Sequence, residues 1–143
     1  MKVPHRPRSS WDCPDSAYSV STFPLLFDGD TDKEYSSSSL LNDLISKKAS
    51  ELNMSIHRGK IITSDVFDPY VDHDKFISNF PNEEFMASEM EGFGLFYLAK
   101  KLGKDATCLL TVVDSKYDKR SLTSEEREQS LNEMITLALE SVI

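Results

Sequence analysis

The apolar run of residues 106–113 is the strongest constraint on the fold of this 143-residue chain. Near-continuous apolar character over such a short stretch is typical of a strand that is buried on both faces. Residues 92–102, just before it, are apolar almost all round and end at Gly103, which predicts a buried helix with a glycine stop. After it, Thr123-Ser124-Glu125-Glu126 forms a capping box that begins an amphipathic helix to the C-terminus. A strand between two such helices predicts an α/β protein.

The rest of the chain continues this alternation. A helix is predicted from Leu40, strands at 55–63 and 85–90, and a short helix at 72–79. The first of these helices has its apolar stripe at Leu41, Leu44, Ile45, Ala49 and Leu52, and the last helix at Leu131, Met134, Ile135, Ala138 and Val142. Strand–helix alternation of this kind predicts a three-layer αβα sheet within one domain, residues 1–143.

Residues 1–38 are predicted to be irregular. Four of the six prolines lie in this segment, and four consecutive serines follow from position 36. A strand is conceivable only at residues 17–27, where Pro24 would interrupt it or restrict it to a sheet edge.

Composition excludes several classes of protein. The net charge of −8 repels nucleic-acid backbones, so general nucleic-acid binding is not expected. No apolar run approaches the roughly 20 residues of a membrane-spanning helix, and the N-terminus does not resemble a secretory signal. Cys13 and Cys108 are too few for a disulfide framework or a zinc site, so we expect no structural metal and a reducing cytoplasm.

Acidic residues stand at the ends of two predicted strands. Glu89, Met90 and Glu91 close the strand at 85–90, and Asp114 follows the run of 106–113. Ligands of α/β proteins bind beyond the carboxyl ends of strands, so these carboxylates are expected to converge on one crevice if the strands are adjacent. Acidic residues are also favoured at helix N-termini by the helix dipole. The residues alone leave both interpretations open.

Arg127 lies in the first turn of the last helix, where a cation is electrostatically disfavoured. One interpretation is a solvated arginine neutralised by its glutamate neighbours. The other is an inward arginine that pairs with a buried carboxylate such as Asp114.

Four motifs follow one another in a fixed order: residues 85–92 (FMASEMEG), 111–114 (TVVD), 124–127 (SEER) and 131–142 (LNEMITLALESV). Together they closely resemble the hexameric, bacterial-type purine nucleoside phosphorylases, including the 13-residue step from Asp114 to Arg127. Residues 59–67 are similar to that family's strand and loop that carry a base-contacting aromatic. The resemblance covers about 85 residues well and residues 13–58 loosely.

The resemblance implies a sugar site at the end of the predicted strand at 85–90. Glu91 resembles the glutamate that accepts hydrogen bonds from the ribose hydroxyls, and an ionised carboxylate can accept both at once. Met90 would pack against the sugar, and Glu89 would flank the same hydroxyls.

The resemblance also implies a base site. Asp114 resembles the acid that protonates purine N7 as the glycosidic bond breaks, a step typically worth a factor of roughly 10² to 10⁴. Arg127 resembles the arginine that assists this aspartate, and Phe67 would stack on the base.

The chain departs from the family pattern in two ways. Val113 and Ser115 replace the serine and histidine that usually flank the aspartate, which puts base preference in doubt. The glycine-rich phosphate loop and its arginines have no counterpart, so the first half of the fold is expected to be absent. Such a chain would expose sheet edges and apolar surface, and we expect it to associate as a homo-oligomer or with a partner.

The function implied is phosphorolysis of a purine nucleoside to free base and ribose 1-phosphate, with no cofactor and no metal. The alternatives are a uridine phosphorylase, a nucleosidase that uses water, or a truncated relative without catalytic activity.

Overall fold

The computed structural model describes residues 10–19, 32–115 and 121–143. Its strands form one five-stranded mixed sheet. The strands are β1 (Ser10–Ser19), β2 (Glu34–Ser36), β3 (Ser55–Thr63), β4 (Phe85–Glu89) and β5 (Leu110–Thr111). The helices are α1 (Ser39–Glu51), α2 (His73–Ser78), α3 (Gly92–Leu102) and α4 (Ser124–Val142), with a 3-10 turn at Asp68–Tyr70. Across these residues, no helix combines the length and apolar character that a membrane crossing needs.

β1 is the centre of the sheet. It pairs in parallel with β3, which pairs in parallel with β4, while β2 and β5 run antiparallel to β1. The prediction of an irregular segment over residues 1–38 is therefore wrong for residues 10–19 and 34–36. The interruption predicted at Pro24 lies outside the described residues.

Pro14 lies inside the central strand, although its segment was predicted to be irregular because of its prolines. The pairing of β1 with β3 shifts register between Pro14 and Ser16, which leaves Asp15 as an extra residue in a bulge. Asn42 of α1, only 1% exposed, donates from Nδ2 to the carbonyl of Pro14 over 3.2 Å. A bulge is one of the few places in a sheet that tolerate proline, and here a buried amide stabilises it.

The bulge changes which positions of β1 face each layer. Before it, Cys13 packs with Ile45, Ala49 and Leu137 of α1 and α4. After it, Ala17 packs in the second cluster, whose other buried members are Tyr35, Ile61, Phe93, Phe96 and Tyr97. Since α3 covers one face and α1 with α4 the other, the predicted three-layer α/β arrangement is confirmed.

Residues 106–113 differ from the prediction of a central strand buried on both faces. Two of them, Leu110 and Thr111, pair with the sheet, and both are half-buried. The preceding segment bonds to the start of α1 instead, because the carbonyl of Ala106 accepts from the Ser38 amide over 2.8 Å and Thr107 donates to Asn42. One backbone and one side-chain hydrogen bond to the start of α1 thus replace the strand ladder here.

Helix α4 begins at the predicted capping box of Thr123 and Glu126, but the face that it buries is centred beside its apolar stripe and not on it. Its buried residues are Ser130, Leu137 and Ser141, while the apolar residues Leu131 (47% exposed), Ile135 (45%), Leu139 (56%) and Val142 (64%) face outward. The indole N–H of Trp11 donates to the Ser130 hydroxyl over 3.1 Å, which holds this polar side against the sheet. The apolar stripe located in the sequence is thus mostly exposed, although its member Met134 is half-buried and accepts from the Thr111 hydroxyl.

Candidate functional site

Four of the predicted site residues lie at or beyond the ends of β3 and β4, at one end of the sheet. β3 and β4 are parallel neighbours, and Thr63 at the end of β3 lies beside Glu89 at the end of β4. Met90 follows directly and is 41% exposed, and Phe67, in the loop after β3, is 60% exposed. Glu91 is exposed beside them. Parallel pairing thus places the exposed side chains of Met90 and Glu91 at the same end of the sheet as the loop that carries Phe67.

Glu89 is engaged by the protein itself. Its Oε2 accepts hydrogen bonds from the amides of Glu91 (2.7 Å) and Gly92 (2.6 Å). Its Oε1 accepts from the hydroxyl of Thr63. For Glu89 these bonds agree with the helix N-terminal interpretation that the sequence left open, and both carboxylate oxygens accept hydrogen bonds within the protein.

Glu91 has no such engagement. It is the N-cap residue of α3, yet its side chain makes no capping hydrogen bond. A carboxylate at the start of a helix is held in a favourable electrostatic field. It therefore remains available to accept hydrogen bonds from a ligand.

Tyr70 is a member of this group that sequence reasoning missed. Its ring lies 6.0 Å from that of Phe67 in an edge-to-face arrangement, and its side chain is 82% exposed. The two aromatics are three residues apart on either side of Asp68-Pro69, and that spacing was the available signal. The pair forms an exposed aromatic surface at the strand end.

Asp114 and Arg127 occupy a different part of the molecule. Asp114 forms an isolated bridge with Ser121, and Arg127 donates from Nε to the carbonyl of Leu122 over 3.1 Å. Both side chains are exposed. Across the residues that the structure describes, no ion pair joins them, so the interpretation of an inward arginine on a buried aspartate is wrong for this conformation.

The two acidic groups do not follow adjacent strands, which corrects the expectation of convergence. β5 pairs with β1 in the antiparallel sense, with Thr111 beside Trp11 near the start of β1. Glu89 lies beside Thr63, whose partner in β1 is Ser19 at its other end. Strand register alone therefore does not bring Asp114 to the end of the sheet that carries Glu91.

Cys108, which precedes Asp114 by six residues, lies in a buried environment that alters its acidity. Burial, together with the negative charge of Glu89, raises the pKa of the Cys108 thiol to about 12. Cys108 packs against the cluster that includes Ile61 and Phe93, six residues before Asp114. The segment leading to Asp114 is thus anchored in the core beneath α3.

A cavity of about 370 Å³ lies away from all of these residues. It is found between β2 and the C-terminal end of α3 and is lined by both acids and lysines, among them Glu34, Lys100, Lys104 and Asp105. Its mixed charges favour no ligand class.

Comparison with known proteins adds independent observations. A family model described as the phosphorylase superfamily matches residues 13–142. A DeoD-type purine nucleoside phosphorylase of Colwellia psychrerythraea is 36% identical over 105 residues, covering 73% of this chain and 44% of that relative. The corresponding protein of Bacillus cytotoxicus is 36% identical over 104 residues, covering 71% and 43%. The chain spans less than half the length of these relatives.

Two solved structures resemble the fold. The 5'-methylthioadenosine/S-adenosyl homocysteine nucleosidase of Campylobacter jejuni superposes with a TM-score of 0.78 at 19% identity, covering 94% of this chain and 61% of that one. A nucleoside phosphorylase of Trypanosoma brucei, described as showing uridine phosphorylase activity, gives 0.78 at 15% identity, covering 94% and 58%. At these identities the likeness concerns the fold alone.

Proposed function

Because the chain belongs to the phosphorylase superfamily, we propose that its site serves the chemistry of a purine nucleoside phosphorylase. The reaction is the phosphorolysis of a purine nucleoside to free base and ribose 1-phosphate. The observation that carries the proposal is the open group of Phe67, Met90 and Glu91 at one strand end, in a chain 36% identical to purine nucleoside phosphorylases over 105 residues.

In this proposal Glu91 binds the sugar. Its carboxylate accepts hydrogen bonds from the two neighbouring ribose hydroxyls, and bonds to an ionised acceptor are roughly twice as strong as neutral ones. Met90 packs against the sugar ring. Phe67 offers a face to the base, and base–aromatic stacking is typically worth roughly 1–3 kcal/mol.

Cleavage requires an acid for the departing base. As the glycosidic bond breaks, its electron pair goes to the base and the sugar becomes cationic. We assign the proton donor to Asp114, with Arg127 assisting, on the resemblance of their motifs. The assignment requires Asp114 and Glu91 to reach one nucleoside.

Two related activities are the alternatives. One structural neighbour is described as a nucleosidase and the other as showing uridine phosphorylase activity. A nucleosidase would use water as the nucleophile, and a uridine phosphorylase would act on a pyrimidine. Incubation with inosine or uridine, with and without phosphate, separates them. Hypoxanthine release only with phosphate supports the proposal, release without phosphate indicates a nucleosidase, and cleavage of uridine instead contradicts the purine assignment.

Removal of the Glu91 carboxylate is expected to weaken nucleoside binding. Hydrogen bonds to charged groups contribute roughly 1.5–3 kcal/mol, so Glu91→Ala should raise the Kd for inosine by about 10- to 100-fold. Isothermal titration calorimetry measures the change. Glu84→Ala, which removes another exposed carboxylate before β4, is the matched control and should bind as the wild type does. Equal affinities of Glu91→Ala and wild type would remove Glu91 from the sugar site.

We also propose that the chain associates through the exposed stripe of α4. Leu131, Ile135, Leu139 and Val142 are each 45–64% exposed on one helix, and a contiguous apolar surface of this kind marks an interaction site. The wild type is expected to sediment above its monomer mass of 16.2 kDa, and the double variant Leu131→Lys/Leu139→Lys to shift toward the monomer. Thr136→Lys, at an exposed polar position of the same helix, is the control. A wild type that remains monomeric at high concentration would contradict the proposal.

A further inference from the structure

The first turn of α3 is capped by side chains from two strands. A helix leaves its first amides without backbone partners, and the N-cap side chain usually accepts from one of them. Here the carboxylate of Glu89 takes the amides of Glu91 and Gly92, at 2.7 and 2.6 Å. The hydroxyl of Thr63 takes the amide of Phe93, at 2.9 Å. The ordinary function of the N-cap side chain is thus fulfilled from β3 and β4.

Thr63 connects the two parts of this cap. Its side chain is fully buried, and its hydroxyl accepts from Phe93 while it donates to Oε1 of Glu89. A single hydroxyl therefore fixes both the helix and the carboxylate that caps it. Gly92 makes room for the arrangement, because a Cβ there would lie 3.1 Å from the same oxygen of Glu89.

Because of this arrangement, the side chain of Glu91 is not needed to cap α3. It occupies the N-cap position without a side-chain capping bond, and its backbone amide is held by Glu89. We propose that Thr63 and Glu89 are positioning residues, which cap α3 in place of Glu91 and so hold the Glu91 carboxylate outward for the vicinal diol of a nucleoside. The assignment of the diol rests on the proposed function, whereas the capping arrangement stands on the contacts alone.

The test compares Thr63→Val, which removes the hydroxyl at nearly constant shape, with Thr63→Ser, which keeps it. In the full chain, Thr63→Val is expected to raise the Kd for inosine about tenfold or more, and Thr63→Ser to bind as the wild type does. Binding of 2',3'-dideoxyinosine, which lacks the diol, should be weak and equal in all three proteins. If Thr63→Val instead weakened the binding of inosine and of 2',3'-dideoxyinosine by the same factor, the change would not act through the diol, which would overturn the proposal.

A second measurement judges the cap without a ligand. The amides of Glu91, Gly92 and Phe93 are expected to exchange with solvent at least about tenfold faster in Thr63→Val, while amides of β1 keep their wild-type rates. In Glu89→Ala, the Glu91 side chain should turn back onto the first turn of α3, which a crystal structure or side-chain NOEs would detect. Unchanged exchange, or an unmoved Glu91, overturns the positioning role.

The outcomes separate the two proposals. A wild type that does not bind inosine contradicts the proposed function, and the exchange and orientation measurements then decide the positioning role by themselves. A wild type that binds inosine and is matched by Thr63→Val contradicts the positioning role and leaves the proposed function intact.

Discussion

Leu137→Ala is expected to lower the free energy of unfolding by about 2–5 kcal/mol, the usual cost of truncating a buried leucine. Leu137 is fully buried and packs with Cys13, Ile45 and Ala49, so it joins α4 to both α1 and the central strand. Removal of its methyl groups leaves a cavity at the point where three elements meet. Chemical denaturation followed by circular dichroism measures the loss.

Leu98→Ala is the matched control for this prediction. Leu98 lies on α3, outside the association stripe of α4, and is 52% exposed, so its truncation should change the free energy of unfolding by no more than about 0.5 kcal/mol. If the two variants lose equal stability, α4 does not dock through the face that contains Ser130, Leu137 and Ser141. The pair therefore tests the orientation of α4, whose apolar stripe is mostly exposed while Leu137 is buried.

Asp114→Asn is expected to lower kcat for inosine phosphorolysis by roughly 10²- to 10⁴-fold, the usual contribution of a general acid. The amide keeps the shape of the side chain but cannot supply the proton, so nucleoside binding should remain largely intact. Release of hypoxanthine from inosine in the presence of phosphate measures turnover. Asp74→Asn, at an exposed carboxylate in α2, is the control.

Three outcomes of that experiment differ in meaning. A large loss of turnover with intact binding supports Asp114 as the acid, and requires the segment after β5 to reach the site at the ends of β3 and β4. Unchanged turnover removes Asp114 from its assigned role. A wild-type chain that releases no hypoxanthine favours the alternative of a relative without catalytic activity.

Local signals account for what the sequence predicted well. The bounds of β3 and α3 are those predicted, and the stop at Gly103 adopts the left-handed conformation expected of a glycine C-cap, with φ 61°. The capping box of Thr123 and Glu126 is also present. The glycine stop and the capping box each depend on side chains within a few residues of the backbone they organise, so the local sequence is enough to predict them.

The features that sequence missed depend on distant partners. The strand around Pro14 is held by Asn42, 28 residues away, and the inward side of α4 is set by a bond between Trp11 and Ser130, 119 residues apart. The direction of β5 is likewise fixed by its pairing with β1. Hydrophobic periodicity carries no record of such pairings, which is why the convergence of Asp114 with Glu91 was expected and not found.

The site shows the same division. The position of Met90 and Glu91 after a strand followed from the pattern, but the different roles of Glu89 and Glu91 did not. Two glutamates at alternate positions look equivalent in a sequence. They differ because Thr63, from the neighbouring strand, engages one of them.

The extra residue in β1 makes that strand intolerant of changes in length. Upstream of Asp15 the odd-numbered side chain Cys13 points to the layer of α1 and α4, whereas downstream the odd-numbered Ala17 points to the layer of α3. Deleting Asp15 would restore an uninterrupted pleat and rotate one half of the strand by half a turn, which would send core side chains into the wrong layer. A substitution at a single position does not change which side chains face each layer. β1 should therefore accept altered side chains far more readily than an altered number of residues.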